Sequence, residues 1–491
     1  MSLPNGFVEP EDQGVWPYTS RALTVGAWVV IVGLVSLVVA VRQTSVKEEP
    51  ATVSRDQLVL QELFGRIVVG ARRMLDAPPE EIEQLMRSYP ADSAASRLTL
   101  AIMEGELHGP LAALVALKKV DAAGGDVALL RQILERLYSD YLELRLEAPS
   151  VTVEDRRVLR DKLDWFAALA LHPRQPALEQ VAAAAGAPAA LAMMERWPAP
   201  EGRNEALEPA VQTMTALSSG VAGVVLLAFG GLICLTVVFN LARQGRLQQG
   251  IGPPVRYAGL YAETFALWLL VFLGLSTAVP LLFPALDIME AGGTAMALSL
   301  VALGYPVARG LSWRQVREDV GWTTGERPAF EPMAGLLTYM MSLPLMIAGL
   351  ACFAIYAAQL GTLIAAEAPS HPIVEFLIRA DGWSRFKIYF LACVLAPVVE
   401  ETMFRGVLYR HLRDVTRQFG GPRGFIAAGL IASFLFALLH PQGPLAVPAL
   451  AALGFGFTIG REWRGTVLPS MLAHCLANGV ILTIAIQALK G

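Results

Sequence analysis

The chain has 491 residues, of which 54% are hydrophobic and only 17% are charged, below the charged share of about 25% that is usual in soluble proteins. A mean hydropathy of +0.49 excludes an ordinary soluble protein, and the formal net charge of -4 offers no electrostatic footprint for nucleic acid. The apolar residues collect in runs of about 18 to 27 residues, long enough to cross a bilayer as helices. The composition therefore predicts an all-α, polytopic membrane protein in contact with the lipid bilayer.

The first 42 residues predict a tail followed by one membrane anchor. Leu23 to Val41 form an apolar run that ends at Arg42. This run is long for the apolar region of a secretory signal peptide, and mostly polar residues precede it. We therefore expect it to be retained as a transmembrane helix.

Residues 43–212 predict a soluble α-helical domain that is inserted between the first and second spans. Charged residues return here, and apolar residues recur at helical spacing. Examples are Leu129, Leu130, Ile133, Leu134, Leu137 and Tyr141. Proline and glycine breaks divide the segment into helices of about one to two dozen residues. We expect this domain to recruit or regulate a substrate.

From residue 213 onward the chain returns to long apolar runs. Residues 213–321 are expected to form additional transmembrane helices, and residues 322–491 a transmembrane core. The predicted spans lie at about 215–240, 260–283, 292–308, 333–360, 386–410, 425–440, 446–460 and 466–488. With the anchor they make about nine helices of membrane-crossing length.

Arginines in the short loops predict the orientation, because cytoplasmic loops are enriched in Lys and Arg. Such arginines follow alternate spans. They include Arg243, Arg246, Arg309, Arg314, Arg317, Arg410, Arg413, Arg461 and Arg464. This pattern places the N-terminus in the cytoplasm and the helical domain on the extracytoplasmic side, and we expect the membrane to be the inner membrane of a prokaryote.

Two adjacent acids stand inside one of these apolar runs. Glu401 and Arg405 are four residues apart on one helix face, in the favourable order for an ion pair. Glu400 points about 100° away and has no such partner, so it could serve as a general base or acid. Pro397 would weaken the helix locally. The alternative for the Glu401–Arg405 pair is a helix end that reaches the membrane interface.

Two later runs each contain a histidine at apolar depth. His440 ends one run, and Phe436 lies one turn earlier on the same face. His474 and Asn478 share a face of the last span, so both can point at one place. Alone, His440 could be an interfacial residue, and the His474–Asn478 pair could be hydrogen-bonding glue between helices.

Together these residues offer a carboxylate, two imidazoles and a carboxamide on three helices. A carboxylate and an imidazole can polarise water for attack on an amide, and a second imidazole and an amide N–H can stabilise the oxyanion. The same set could hold a divalent metal whose bound water is the nucleophile. The residues alone leave both mechanisms open.

The motifs resemble those of a known family. Glu-Glu-x-x-x-Arg at 400–405, Phe-x-x-x-His at 436–440 and His-x-x-x-Asn at 474–478 occur in that order on successive helices. They resemble the CAAX-protease and bacteriocin-processing family, intramembrane endopeptidases related to type II CAAX prenyl proteases. The resemblance covers about 322–485 and does not reach the soluble domain or the anchor.

The resemblance implies roles for the matching residues. Glu400 would be the catalytic glutamate that activates water with His440. His474 and Asn478 would bind the oxyanion or otherwise complete the site. The supporting residues would be Glu401, Arg405 and, by packing, Phe436. Because family members have been described both as metalloproteases and as metal-independent glutamate proteases, the cofactor stays open between a divalent metal such as zinc on Glu400, His440, His474 and Asn478, and none.

We therefore expect an intramembrane endopeptidase that hydrolyses a peptide bond in a membrane-anchored or lipidated protein or peptide. The prenyl substrate is not carried over, because a helical domain before the core is not part of that pattern. The alternative is a non-catalytic membrane scaffold whose helical domain binds a partner. A transporter fits less well, because the spans show no internal repeat. The oligomeric state is not predicted.

Overall fold

A computed structural model describes most of the chain, and every regular element within the described residues is a helix. The described residues are 20–44, 55–89, 91, 93–121, 124–143, 149–174, 200–244, 246, 250–253, 255, 257–360, 380–443 and 446–489. The all-helical fold class is confirmed. By contacts the chain forms two compact units: a first unit within 1–45, 223–373 and 380–482, and a second unit within 46–222, 374–379 and 483–491.

The N-terminal anchor forms one helix of the first unit, α1 (Arg21–Thr44). The next seven helices belong to the second unit. They are α2 (Arg55–Met74), α3 (Pro79–Arg87), α4 (Ala94–His108), α5 (Pro110–Leu117), α6 (Gly125–Glu143), α7 (Val153–Leu163) and α8 (Trp165–Leu171). Capping boxes begin two of them, because Ser93 bonds the Ser96 N–H before α4 and Thr152 bonds the Asp155 N–H before α7.

The second unit has its own apolar core between these helices. Ile133 and Leu134 on α6 are completely buried, as is Phe166 on α8. The helical spacing in α6 therefore identified the buried face, with one exception. Leu129 is 45% exposed, because it lies off the face that packs inward.

The remaining helices of the described residues run from α9 to α20. They are α9 (Pro200–Arg243), α10 (Gly259–Leu282), α11 (Ile288–Ser299), α12 (Gly304–Ala308), α13 (Trp313–Val320), α14 (Glu331–Leu360), α15 (Gly382–Phe390), α16 (Ala396–Glu401), α17 (Tyr409–Thr416), α18 (Gly421–Leu439), α19 (Val447–Arg464) and α20 (Leu468–Leu489). Short 3₁₀ segments occur at Leu300–Leu303, Pro328–Phe330 and Arg417–Phe419, and π-helical segments at Leu391–Leu395 and Thr402–Leu408.

Seven helices within the described residues are long and apolar enough to cross a membrane. The protein is therefore an integral, multi-pass membrane protein. Helices also occupy the two other predicted spans, 386–410 and 446–460, but they carry charged residues such as Glu400, Arg405 and Arg461. The count of nine spans stays a prediction, because length and hydropathy do not decide how a charged helix is placed.

Helices α14 and α19 pack closely through small residues. A Cβ atom added to Gly456 would lie 2.5 Å from the Ser342 Cβ and 2.6 Å from the Ser342 Cα. Ser342 belongs to α14 and is completely buried. Only a glycine therefore allows this approach, and the approach fixes α19 beside α14.

Gly456→Ala is expected to destabilise the protein by about 1–3 kcal/mol, because the added methyl group overpacks this helix crossing. The measurement is thermal unfolding of the full chain in detergent. Gly274→Ala on α10 is the matched control, since a Cβ atom there meets nothing within 4 Å. Equal shifts in melting temperature for the two variants would contradict the expectation.

Candidate active site

Glu400 lies on the short helix α16, which is enclosed by the two π-helical segments. Together α15, the first π segment, α16, the second π segment and α17 form one continuous helical run. Pro397 stands at the start of α16 and has no N–H to donate, so the regular α-helical bonding cannot pass through it. Single-turn π segments inside α-helices occur frequently at functional sites. We predicted that Pro397 weakens the helix locally, and in the structure the helix changes to π-helical bonding just before this residue.

Glu400, His440 and His474 converge from three parts of the chain. The Glu400 Oε2 atom lies 3.8 Å from His440 Nε2 and 3.9 Å from His474 Nε2. One ligand atom from each of the three residues lies within 4.8 Å of the others. Within the described residues, Glu400 Oε2 is buried and accepts no hydrogen bond. A buried carboxylate oxygen without a donor is costly, and a catalytic role is one of the explanations for it.

Both imidazoles turn the same nitrogen toward Glu400. His440 Nδ1 lies 2.8 Å from the Phe436 carbonyl oxygen, and His474 Nδ1 lies 2.9 Å from Glu401 Oε1. A carbonyl or a carboxylate oxygen can only accept, so Nδ1 carries the proton in each neutral ring. The lone pair of each Nε2 atom then points toward the Glu400 carboxylate. The site thus presents one carboxylate and two basic nitrogens to a common space.

Glu401 and Arg405 form a buried ion pair behind this space. Arg405 Nη1 lies 3.0 Å from Glu401 Oε1, and both side chains are fully buried. Arg405 Nη2 also donates to the Gly454 carbonyl oxygen at 2.9 Å. Both side chains are therefore enclosed by protein, and the pair is not a solvent-exposed one. Because Glu401 Oε1 bonds both Arg405 and His474, it connects the ion pair to the imidazole.

Aromatic rings hold the two imidazoles in place. The Phe436 ring centroid lies 4.1 Å from that of His440, and the Arg405 guanidinium carbon lies 4.4 Å from the Phe436 centroid. Phe457 stacks on His474 at 5.4 Å with 25° between the planes. The motifs predicted Phe436 but not Phe457, because no spacing connects Phe457 to a polar motif.

Asn478 bonds the backbone of the first π segment. Its Nδ2 atom donates to the Ala392 carbonyl oxygen at 2.7 Å. The Ala396 N–H, which would reach Ala392 in an α-helix, bonds Leu391 instead. The N–H one position further on is missing, because that residue is Pro397. Asn478 therefore satisfies a carbonyl group that the helix itself leaves without a donor, and its role with an oxyanion stays a prediction.

The donor set fits a divalent metal. A carboxylate oxygen and two imidazole Nε2 atoms form the ligand type of catalytic zinc sites with three protein ligands. The Nδ1 bonds to Phe436 and Glu401 are the outer contacts that orient metal-binding imidazoles. The unsatisfied Glu400 oxygen is consistent with the same set. Asn478 was also predicted as a ligand, but its amide N–H bonds Ala392.

These residues all fall within a single family match. Residues 382–480 match the type II CAAX prenyl endopeptidase Rce1-like family. We call this stretch the Rce1-like segment. The resemblance inferred from the motifs is confirmed for this stretch. No curated protein and no solved structure matches the chain.

The Rce1-like segment contains all the predicted site residues, from Glu400 to Asn478. It is shorter than the expected range of about 322–485, and it includes no part of α13 or α14. The helices before residue 382, including those of the second unit, lie outside it.

Proposed function

We propose that this protein is an intramembrane endopeptidase that hydrolyses a peptide bond in a membrane-anchored or lipidated protein or peptide. The observation that carries the proposal is the Glu400 Oε2 atom, which lies less than 4 Å from two imidazole nitrogens and accepts no hydrogen bond within the described residues. A basic group that is poised and unsatisfied is what the activation of water requires. The Rce1-like segment supports the same reaction class.

In this proposal Glu400 removes a proton from a water molecule while the water oxygen attacks the carbonyl carbon of the substrate. His440 Nε2 orients the same water, because its lone pair is directed at the Glu400 side. The proton then passes from Glu400 to the leaving amine when the C–N bond breaks. A bound divalent metal would add Lewis-acid stabilisation of the oxyanion and a more acidic water.

His474 has a different task in this scheme. In its neutral form the Nε2 atom is an acceptor, so it cannot donate to an oxyanion. In the mechanism without a metal, His474 Nε2 would first take up a proton from solvent, and the resulting cation donates to Glu401 through Nδ1 and to the oxyanion through Nε2. The Glu401 carboxylate would stabilise that cation. We therefore assign oxyanion stabilisation to His474 and the fixing of its ring to Glu401.

His440→Ala and His474→Ala are each expected to lower peptide cleavage by about 10²–10⁴-fold, the usual effect of losing a proton-transfer or oxyanion group. The assay uses the purified full chain in liposomes with three quenched fluorescent peptides: one with a C-terminal prenylated cysteine, one N-acylated and one transmembrane. Turnover of at least one class by the wild type and its loss in both variants is the expected result. Cleavage by either variant at the wild-type rate would remove that histidine from the mechanism.

The metal question is answered with the same sample. Elemental analysis of the wild type and of Glu400→Gln, followed by cleavage with and without a chelator, separates the two mechanisms. A stoichiometric metal that Glu400→Gln loses indicates a metal held by Glu400, His440 and His474. Full activity after chelation, without stoichiometric metal, indicates glutamate-activated water alone.

We propose that the helical domain, predicted at 43–212, recruits or regulates the substrate from the extracytoplasmic side of a prokaryotic inner membrane. This placement rests on the arginines of the loops. Labelling of single cysteines introduced into the second unit, with a reagent that does not cross the membrane, tests it. Labelling only after the membrane is permeabilised would overturn the orientation.

A further inference from the structure

The second π segment, Thr402–Leu408, begins at the residue after Glu401 and therefore sets how α16 is rotated. In a π-helix each N–H bonds five residues back, so one carbonyl group is passed over relative to an α-helix. The Tyr409 N–H bonds Phe404 and Gly406. In an α-helix it would bond Arg405. The Arg405 carbonyl group, which the π-helix passes over, therefore needs a hydrogen-bond donor from another part of the structure.

Arg461 on α19 is one such donor. This side chain is 1% exposed, and its Nε atom donates to the Arg405 carbonyl oxygen at 3.1 Å. Its Nη2 atom donates to the Asp319 carbonyl oxygen at 2.9 Å, at the end of α13. A buried guanidinium without such acceptors would be costly. Arg461 therefore joins the second π segment to the end of α13.

Trp322 contacts the other end of the same π segment. Its Nε1–H donates to Thr402 Oγ1 at 2.7 Å. The Thr402 hydroxyl in turn donates to the Val398 carbonyl oxygen at 2.6 Å. Val398 belongs to α16, the helix that carries Glu400 and Glu401. A continuous line of hydrogen bonds thus leads from Trp322 to the turn that holds the site.

The chain between α13 and Trp322 also lies directly on the π segment. A Cβ atom added to Gly406 would lie 2.8 Å from the Val320 carbonyl oxygen. Gly321 follows in a left-handed conformation with φ of 80°, and it turns the chain so that Trp322 can reach Thr402. Val320 and Trp322 therefore contact the π segment directly, and Asp319 is joined to it through Arg461. None of the residues from Asp319 to Trp322 belongs to the Rce1-like segment.

We propose that Trp322 is a positioning residue for the reaction: with Thr402 it holds the second π segment in register, and through it keeps Glu400 aligned with the two histidines. This inference rests on the proposed function. It gives Trp322, which precedes the Rce1-like segment, a role in aligning a site that lies within that segment. A displacement near 1 Å at a catalytic group is enough to reduce turnover strongly.

The test compares Trp322→Phe, Thr402→Val and the double variant in the liposome assay. Trp322→Phe removes the donor of this hydrogen bond and Thr402→Val removes its acceptor. Each variant keeps most of the side-chain volume. We expect each to lower kcat about tenfold with KM within about twofold, because alignment and not substrate binding is lost. The double variant should be no slower than the slower single variant, since both remove the same bond.

Trp28→Phe is the matched control. Trp28 on α1 is half-buried, as Trp322 is, and donates its indole N–H to His411 Nε2 at 3.1 Å. This variant loses the same kind of bond, so its stability falls similarly, and its kcat should stay at the wild-type value. If Trp322→Phe changes kcat no more than Trp28→Phe does, or if the two losses in the double variant multiply, the proposal is wrong.

Hydrogen exchange separates this proposal from the proposed function. Backbone amides of Thr402–Leu408 should exchange at least about tenfold faster in Trp322→Phe than in the wild type, because local opening is governed by the bonds that hold a segment. This readout does not require cleavage. If the wild type cleaves no peptide, the proposed function fails, while unchanged exchange in Thr402–Leu408 would overturn the role of Trp322 by itself.

Discussion

Glu400→Gln is expected to abolish peptide cleavage, with a loss of at least about 10²–10⁴-fold, while the protein stays folded in the membrane. The amide of glutamine cannot take a proton from water, but it fills the same space between His440 and His474. The Glu400 Oε2 atom accepts no hydrogen bond within the described residues, so the substitution breaks no bond there. Stability should therefore be equal to or higher than that of the wild type. Cleavage rate and melting temperature are measured on the same preparation.

Glu263→Gln provides the opposite result as a control. Glu263 on α10 is also buried, but it accepts hydrogen bonds from Tyr305 at 2.8 Å and from Arg309 at 2.9 Å. Loss of its charge leaves a partly buried arginine without its counter-ion, so the melting temperature should fall. Cleavage per folded molecule should not change. If the protein is a scaffold without catalysis, Glu400→Gln should lower the melting temperature as Glu263→Gln does. Turnover by Glu400→Gln at the wild-type rate would show that Glu400 is not catalytic.

Glu401→Gln is expected to damage both stability and activity. Arg405 is fully buried and has Glu401 as its ion-pair partner at 3.0 Å. The removal of one partner from a buried pair typically costs about 3–5 kcal/mol, because the other charge stays behind without compensation. Cleavage should also fall by about 10–100-fold, since His474 loses the carboxylate that orients it. Thermal unfolding and kcat/KM in the liposome assay measure the two effects.

The double variant Glu401→Leu with Arg405→Met separates these two effects. Replacement of a buried ion pair by apolar residues of similar volume is often neutral or stabilising. We therefore expect the melting temperature to return close to the wild-type value, while cleavage stays low because His474 Nδ1 has lost its acceptor. Recovery of activity together with stability would show that Glu401 acts only through the fold.

The motifs predicted that Glu400, His440 and His474 converge. Placing an isolated polar side chain in hydrocarbon costs free energy, and a polar pocket shared by several such side chains avoids that cost. Helical spacing also separated Glu401, which faces Arg405, from Glu400, which does not. These inferences depend only on periodicity and on solvation. They did not require knowledge of which helices are neighbours.

Other features could not be predicted in this way. The contact between Asn478 and Ala392 depends on a carbonyl group that two distant features, a π turn and Pro397, leave without a donor. The stacking of Phe457 on His474 and the bond between Trp322 and Thr402 join residues that no motif spacing relates. The exposure of Leu129 depends on which side of α6 meets the core.

By itself the sequence determined that this is a helical, multi-pass membrane protein with a protease-like set of polar residues. Apolar run length and the cost of burying charge are local properties that can be counted along the chain. Only the tertiary structure decided which nitrogen of each histidine faces Glu400, which Glu400 oxygen is buried without a donor among the described residues, and how the helix around Glu400 departs from α-helical bonding. Those choices are made by hydrogen-bond partners that come together only when distant segments pack.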